Sequence, residues 1–226
     1  MSTVQRANIE QLISLVKSLT VEVTEEYMRL MGPASRALGY ANAHNPILGC
    51  CIFFNFLLYK KLKEHGYDSK YIGGAASFGI NAGEWGLMEF GRQQETVLYG
   101  FNTDGSRFDG SAFVGHTWIE IEGMDVIVDG TLMHLRTQFN SDNQMRNIDD
   151  EEYLLDESKL VIERSELKTR DQLFSGDTGY SYESSNDITR EAKRRLGIQI
   201  KDLQGLIARS TNESIRCSES PLIVSL

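Results

Sequence analysis

Between positions 9 and 31 apolar residues recur in steps of three and four: Ile9, Leu12, Ile13, Val16 and Leu19, then Val23, Tyr27 and Leu30. This spacing predicts one or two amphipathic helices, which Gly32-Pro33 is expected to end. Residues 33–49, rich in Ala, Asn and Gly, read as an extended approach segment. Helical period returns over about 50–64, where Phe54, Leu58 and Leu62 share a stripe with Cys51. Lys60, Lys61 and Lys63 then supply cations for a last turn, Gly66 a flexible stop, and His65 beside it a capping cation.

After Gly66 the period shortens. Residues 70–78, 97–101, 113–121 and 126–129 read as strands, separated by turn signals at 102–105 and Glu122-Gly123. The stretch 78–90 sets Trp85, Leu87 and Met88 among glycines and reads either as a substrate-facing flap or as a packing loop. Beyond Gly130 the chain turns polar and acidic; 175–186 reads as a loop and 188–209 as a helix. Helices followed by successive strands predict an α+β fold with an antiparallel sheet. One domain over 1–226 is expected: N-terminal helices at 1–45, a core at 46–135 and an elaboration at 136–226.

Composition narrows the function classes. With 41% apolar and 24% charged residues the chain has ample material for a core. A balance of 23 basic against 32 acidic residues, net −9, argues against nucleic acid or an anionic membrane as partner. The most apolar run, 47–59, is interrupted by Asn55 and is too short to cross a bilayer. The first ten residues lack the apolar centre of a secretory signal, so a cytoplasmic location is expected. Three cysteines, two of them adjacent, read as thiols rather than a disulfide framework. Adjacent Cys50 and Cys51 also lack the gap that lets two thiolates reach one zinc, so no metal and no cofactor is expected.

Three residues carry the candidate chemistry. A cysteine attacks acyl carbon as thiolate, a form favoured by a helix N-terminus and a neighbouring imidazole. Gly49-Cys50-Cys51 stands where the helix begins, with Cys50 rotated about 100° from Cys51 and read as inert core. His116 lies in a predicted strand and Asp129 ends the next. A two-residue hairpin loop at Glu122-Gly123 would put His116 directly across from Asp129, where a carboxylate can hold the ring. A four-residue loop would instead put Trp118 across from Asp129. Trp118, two residues after His116, shares its face in a regular strand and could shield the imidazole from water.

Gly49-x-Cys51 opening a helix, His116-Thr-Trp118 in a strand and Asp129-Gly-Thr131 closing the next resemble the transglutaminase-like superfamily. These enzymes belong to the papain-like group with a Cys-His-Asp triad. Thr117 and Gly130 depart from the family's usual His-Ala-Trp and Asp-Pro-Thr. The resemblance covers about 45–132. It implies a papain-like α+β fold, with N-terminal helices and a catalytic helix packed on an antiparallel sheet. It makes Cys51 the nucleophile, His116 general base then acid, and Asp129 the orienting carboxylate. Asn45 stands at the offset where papain-like enzymes carry an oxyanion-binding glutamine, beside the backbone N–H of Cys51. The implied activity is cleavage of a peptide or amide bond in a peptide, protein or small amide through a thioester. Amide formation in a natural-product or protein-modification pathway is the alternative, and a non-enzymatic binding scaffold the second.

Overall fold

The computed structural model describes residues 3–38, 50–80, 87–91, 115–146 and 153–212. Helix α1 spans Thr3–Leu38 and α2 spans Cys51–Glu64. Strands β1 (Ser69–Gly79), β2 (Leu87–Phe90), β3 (His116–Ile121) and β4 (Val126–Val128) follow. A short 3-10 turn, Gly130–His134, leads into α3 (Leu135–Arg146). Then come β5 (Val161–Glu163), α4 (Arg170–Phe174), β6 (Gly179–Ser184) and α5 (Asn186–Asn212). The fold is α+β, and its strand pairs are antiparallel. Among the described residues no helix is long and apolar enough to cross a membrane.

Strand β1 is the spine. One of its edges pairs first with β3, from Ser69↔Ile121 to Gly74↔His116, and then with β2, from Ala76↔Phe90 to Gly79↔Leu87. Its other edge pairs with β6, from Gly74↔Ser184 to Gly79↔Gly179. Beyond β3 the sheet continues through β4 to β5. Residues paired directly across antiparallel strands share a face. Phe78, Tyr180 and Tyr182 therefore face the same way as His116 and Trp118, while Tyr71 and Ile119 face the other way, toward α2.

The apolar stripe of α1 is buried as its spacing predicts: Leu12, Val16 and Val23 are inaccessible, and Tyr27 lies against Phe53 and Phe54 of α2. Gly32-Pro33 does not end this helix. Pro33 lies inside α1, and Leu30, Met31 and Ala34 around it are buried. Their burial outweighs the hydrogen bond that proline forfeits. Helix α2 ends as expected: His65 Nδ1 lies 2.9 Å from Lys61 O, and Gly66 takes φ +84°.

Two further expectations are corrected. The stretch 175–186 is not all loop, because β6 occupies Gly179–Ser184 and places Tyr180 and Tyr182 on the face that carries His116. The β3–β4 hairpin closes through a four-residue turn, since Ile121 pairs with Val126 and Ile119 with Val128. Gly123 (φ +79°) and Asp125 (φ +53°) both adopt left-handed backbone there, and this closes the longer turn in place of a two-residue one. The expected strand at 97–101 lies outside the described residues, as does most of the approach segment.

Candidate active site

Cys51 is the first residue of α2, so its N–H is among those left without an intrahelical partner and stands at the positive end of the helix dipole. Thr117 fixes this end of the helix by donating its hydroxyl to Cys51 O at 2.7 Å, and the Tyr71 hydroxyl reaches Ile52 O at 2.9 Å. The helix N-terminus is thus tied to β3 and β1 by backbone carbonyls, leaving the Cys51 side chain unencumbered by the anchoring.

His116 opens β3. Its Nε2 lies 2.6 Å from Asp129 Oδ2, and the Cys51 thiol is near enough to the imidazole to raise its proton affinity. With Nε2 committed to the carboxylate, Nδ1 is the nitrogen left for the thiol. The observed register places Trp118, not His116, across from Asp129, yet residues diagonal across a ladder remain within reach of long side chains. The ring and carboxylate span that diagonal. Cys51, His116 and Asp129, spread over 79 positions of sequence, are therefore brought into one line, closed on the Asp129 side by a hydrogen bond.

Asp129 is inaccessible to solvent and saturated with donors. Oδ2 accepts from His116 and from the Tyr182 hydroxyl at 2.8 Å. Oδ1 accepts from Asn55 Nδ2 at 3.1 Å, Thr131 N at 3.0 Å and Thr131 Oγ1 at 2.6 Å. Burial alone would push this carboxyl up, but the facing His116, Thr131 and Asn55 hold it below the ordinary range. The reciprocal effect acts on the imidazole. Burial opposes its charge, but Asp129 and Cys51 overcome that penalty and raise His116 to about 10.

Asn55 lies one helical turn after Cys51 and is wholly buried. Its Nδ2 donates to Thr117 O at 2.6 Å, and its Oδ1 accepts from Gly130 N at 3.0 Å. Thr117 and Gly130 would be the pair just beyond Trp118 and Asp129 if the β3–β4 ladder continued in register. The Asn55 amide takes the place of that rung, so α2 enters where the two strands part. This brings the N-terminus of α2 level with His116.

The two adjacent thiols differ. Cys50 is the N-cap residue and its thiol is pushed well above its ordinary value, first by burial and then by Cys51 and Asp129. Trp118 is buried and packs edge-on against Tyr182 with ring centroids 5.1 Å apart; Tyr182 in turn lies 6.3 Å from the imidazole. Phe78 and Phe90 flank the same ring at 5.5 and 5.3 Å. The imidazole is therefore walled by aromatic rings, Phe90 from β2 among them. Asn45 and Trp85 lie outside the described residues, while Met88 of the expected flap is buried in β2.

Asn55 and Tyr182 had no assigned role from sequence. Asn55 did leave a signal, an amide within the apolar run on the stripe of Cys51. Tyr182 left only an alternation of Tyr180 and Tyr182 with Ser181 and Glu183. A cavity of about 510 Å³ lies on the opposite face of β1, lined by Ala75, Glu183, Arg170 and the start of α5. Arg170 at its wall forks onto Glu89 at 2.7 and 3.0 Å. Among the described residues no three Cys, His, Asp or Glu side chains are grouped as metal ligands.

No family model and no curated protein matches the chain. A solved structure titled only as a genomics target aligns over 77% of this chain and 71% of its own. At 14% identity and a TM-score of 0.43, that likeness carries no argument.

Proposed function

We propose that this chain is a cysteine-dependent acyl-transfer enzyme of the transglutaminase-like, papain-like kind, cleaving a peptide or amide bond through a thioester. The observation that carries this reading is the line in which Cys51, at the start of α2, acts on the His116 imidazole while His116 is hydrogen-bonded to buried Asp129. Such a line transfers one proton between sulfur and imidazole while the carboxylate keeps the ring oriented. In the first half-reaction the Cys51 sulfur forms a bond to the carbonyl carbon. The protonated His116 gives its proton to the departing nitrogen as the C–N bond breaks. In the second, water attacks the thioester, His116 takes a proton from it, and the C–S bond breaks to release the acid. The developing oxyanion is served by the N–H of Cys51, which has no partner within the helix. Nothing in this sequence needs a redox partner, and both half-reactions return the site to its starting state.

The test is selective chemistry at sulfur. Iodoacetamide titrated across pH, with adducts located by mass spectrometry, is expected to mark Cys51 preferentially below about pH 8. His116→Ala should abolish that preference. Uniformly slow labelling of Cys50 and Cys51 would overturn the enzymatic reading. With a cleavable peptide in hand, added primary amine separates transfer, which yields the amide adduct, from hydrolysis, which yields only the acid.

A further inference from the structure

We infer that Tyr182 is a positioning residue of this site, its hydroxyl sharing Asp129 Oδ2 with His116 Nε2 and thereby tempering the negative charge that the oxygen presents to the imidazole. The inference rests on the proposed reading of Cys51 and His116, and extends it to a strand far along the chain. Among the described residues, Asn55 and Thr131 donate to Asp129 Oδ1, whereas Tyr182 joins His116 on Oδ2. A donor on that oxygen draws off electron density that would otherwise strengthen its bond to the imidazole proton. An imidazolium held too tightly is a poor acid toward a leaving amine. Tyr182 thus sets a compromise between holding the ring and letting its proton go.

Geometry favours a dedicated contact over an incidental one. Tyr182 pairs with Ala76 across β1. Its ring is clamped in edge-on contacts by Trp118 at 5.1 Å and Phe78 at 5.8 Å, which fixes the direction of the hydroxyl. The phenol is pushed well above its ordinary value by burial and by the Asp129 charge, so it stays a donor throughout the working range of pH. The remaining titratable groups around the pair are few. Cys51 faces the imidazole, while Cys50 and Tyr180 feel the Asp129 charge. Glu120, next along the face of β3 after Trp118, is paired with Arg164 at 2.6 Å. Glu89 of β2 is engaged by Arg170, and with its paired residue Ser77 it belongs to the other face.

The experiment follows the His116 imidazole by NMR in the full-length protein labelled at histidine Cε1, alongside the pH profile of Cys51 alkylation. Tyr182→Phe keeps the ring and removes only the donor. Its His116 midpoint is expected to rise by about one pH unit, the descending limb of the alkylation profile moving with it. Placing 3-fluorotyrosine at position 182 makes a stronger donor of nearly the same shape and should lower the midpoint by a few tenths of a unit. A role confined to packing predicts a lower melting temperature in Tyr182→Phe with both titrations unmoved, and that result would overturn the inference. If Tyr182→Phe does not fold, the fluorinated protein decides alone: a downward shift supports the inference and an unchanged midpoint ends it. If instead Cys51 of the unaltered protein labels no faster than Cys50, the catalytic reading fails, and the midpoint shifts still report whether Tyr182 acts on the pair.

Discussion

His116 and His134 are both drawn away from water, yet their surroundings move their proton affinities in opposite directions. His134 packs edge-on against Phe54 at 5.4 Å, its Nε2 is buried without a partner, and burial lowers it to about 4. His116 is the more deeply buried of the two, and it is raised to about 10. Desolvation has the same sign at both positions. What differs is a carboxylate 2.6 Å from one ring and, among the described residues, no hydrogen-bond partner for Nε2 of the other. A buried histidine is therefore a base here only because Asp129 is held ionised, and the donors around Asp129 matter as much as the His116–Asp129 pair itself.

The sharpest way to break the contrast is Asp129→Asn. Without the carboxylate His116 should behave as His134 does, its midpoint dropping below about 6.5, and Cys51 alkylation near neutral pH should slow on the order of 100-fold or more. Histidine NMR and labelling rates check both. The same change alters the pH dependence of folding. His116 binds its proton more tightly folded than unfolded, so its contribution to stability is complete below about pH 6.5 and fades as pH rises toward about 10. Asp129→Asn should remove that alkaline decline from urea-unfolding midpoints.

Next in size is Asn55→Leu, which keeps volume but strands Thr117 O, Gly130 N and part of Asp129. A loss of about 2–4 kcal/mol is expected by urea unfolding, with slower Cys51 labelling because His116 loses its fixed partner. A change in labelling without a change in stability would mean that Asn55 acts on charge rather than on framework.

His134→Phe probes the other side. The unfolded chain takes up a proton between about pH 6.5 and 4 that the folded His134 refuses, so acid lowers stability through this residue. Phenylalanine preserves the contact with Phe54 and should lessen that acid-side loss by about 1–2 kcal/mol, read from unfolding midpoints at pH 7 and pH 4.5. The smallest effect belongs to Cys50→Ala, which should change Cys51 labelling by no more than about twofold and stability by about 1 kcal/mol. A large change in labelling would make Cys50 part of the chemistry.

The residues of the line were readable because local motifs carry them: a cysteine two after glycine at a helix start, a histidine two before tryptophan, an aspartate closing a strand. The class of fold was readable from period alone, as α1, α2, β1 and α5 follow their hydrophobic spacing. Register was not. The choice between a two- and a four-residue turn rests on left-handed backbone at Asp125, which an aspartate tolerates but does not announce. Tyr182 was hidden for another reason. Strand β6 is polar outside its two tyrosines, one buried and one half-buried, and its pairing with β1 joins segments about 100 residues apart, a contact no local pattern reports. Pro33 shows the reverse failure, a strong local signal overridden by burial on either side.

The amide of Asn55 has a consequence for how the molecule comes apart. A rung contributed by a helical side chain makes α2 a structural member of the sheet, so neither can loosen while the other stays whole. Fraying at the parted ends of β3 and β4, ordinarily among the cheapest fluctuations of a short hairpin, is coupled here to displacement of a helix packed on both sides. The Cys51 end of that helix is consequently expected to open together with the parted ends of β3 and β4, not before them, which an isolated hairpin would not require.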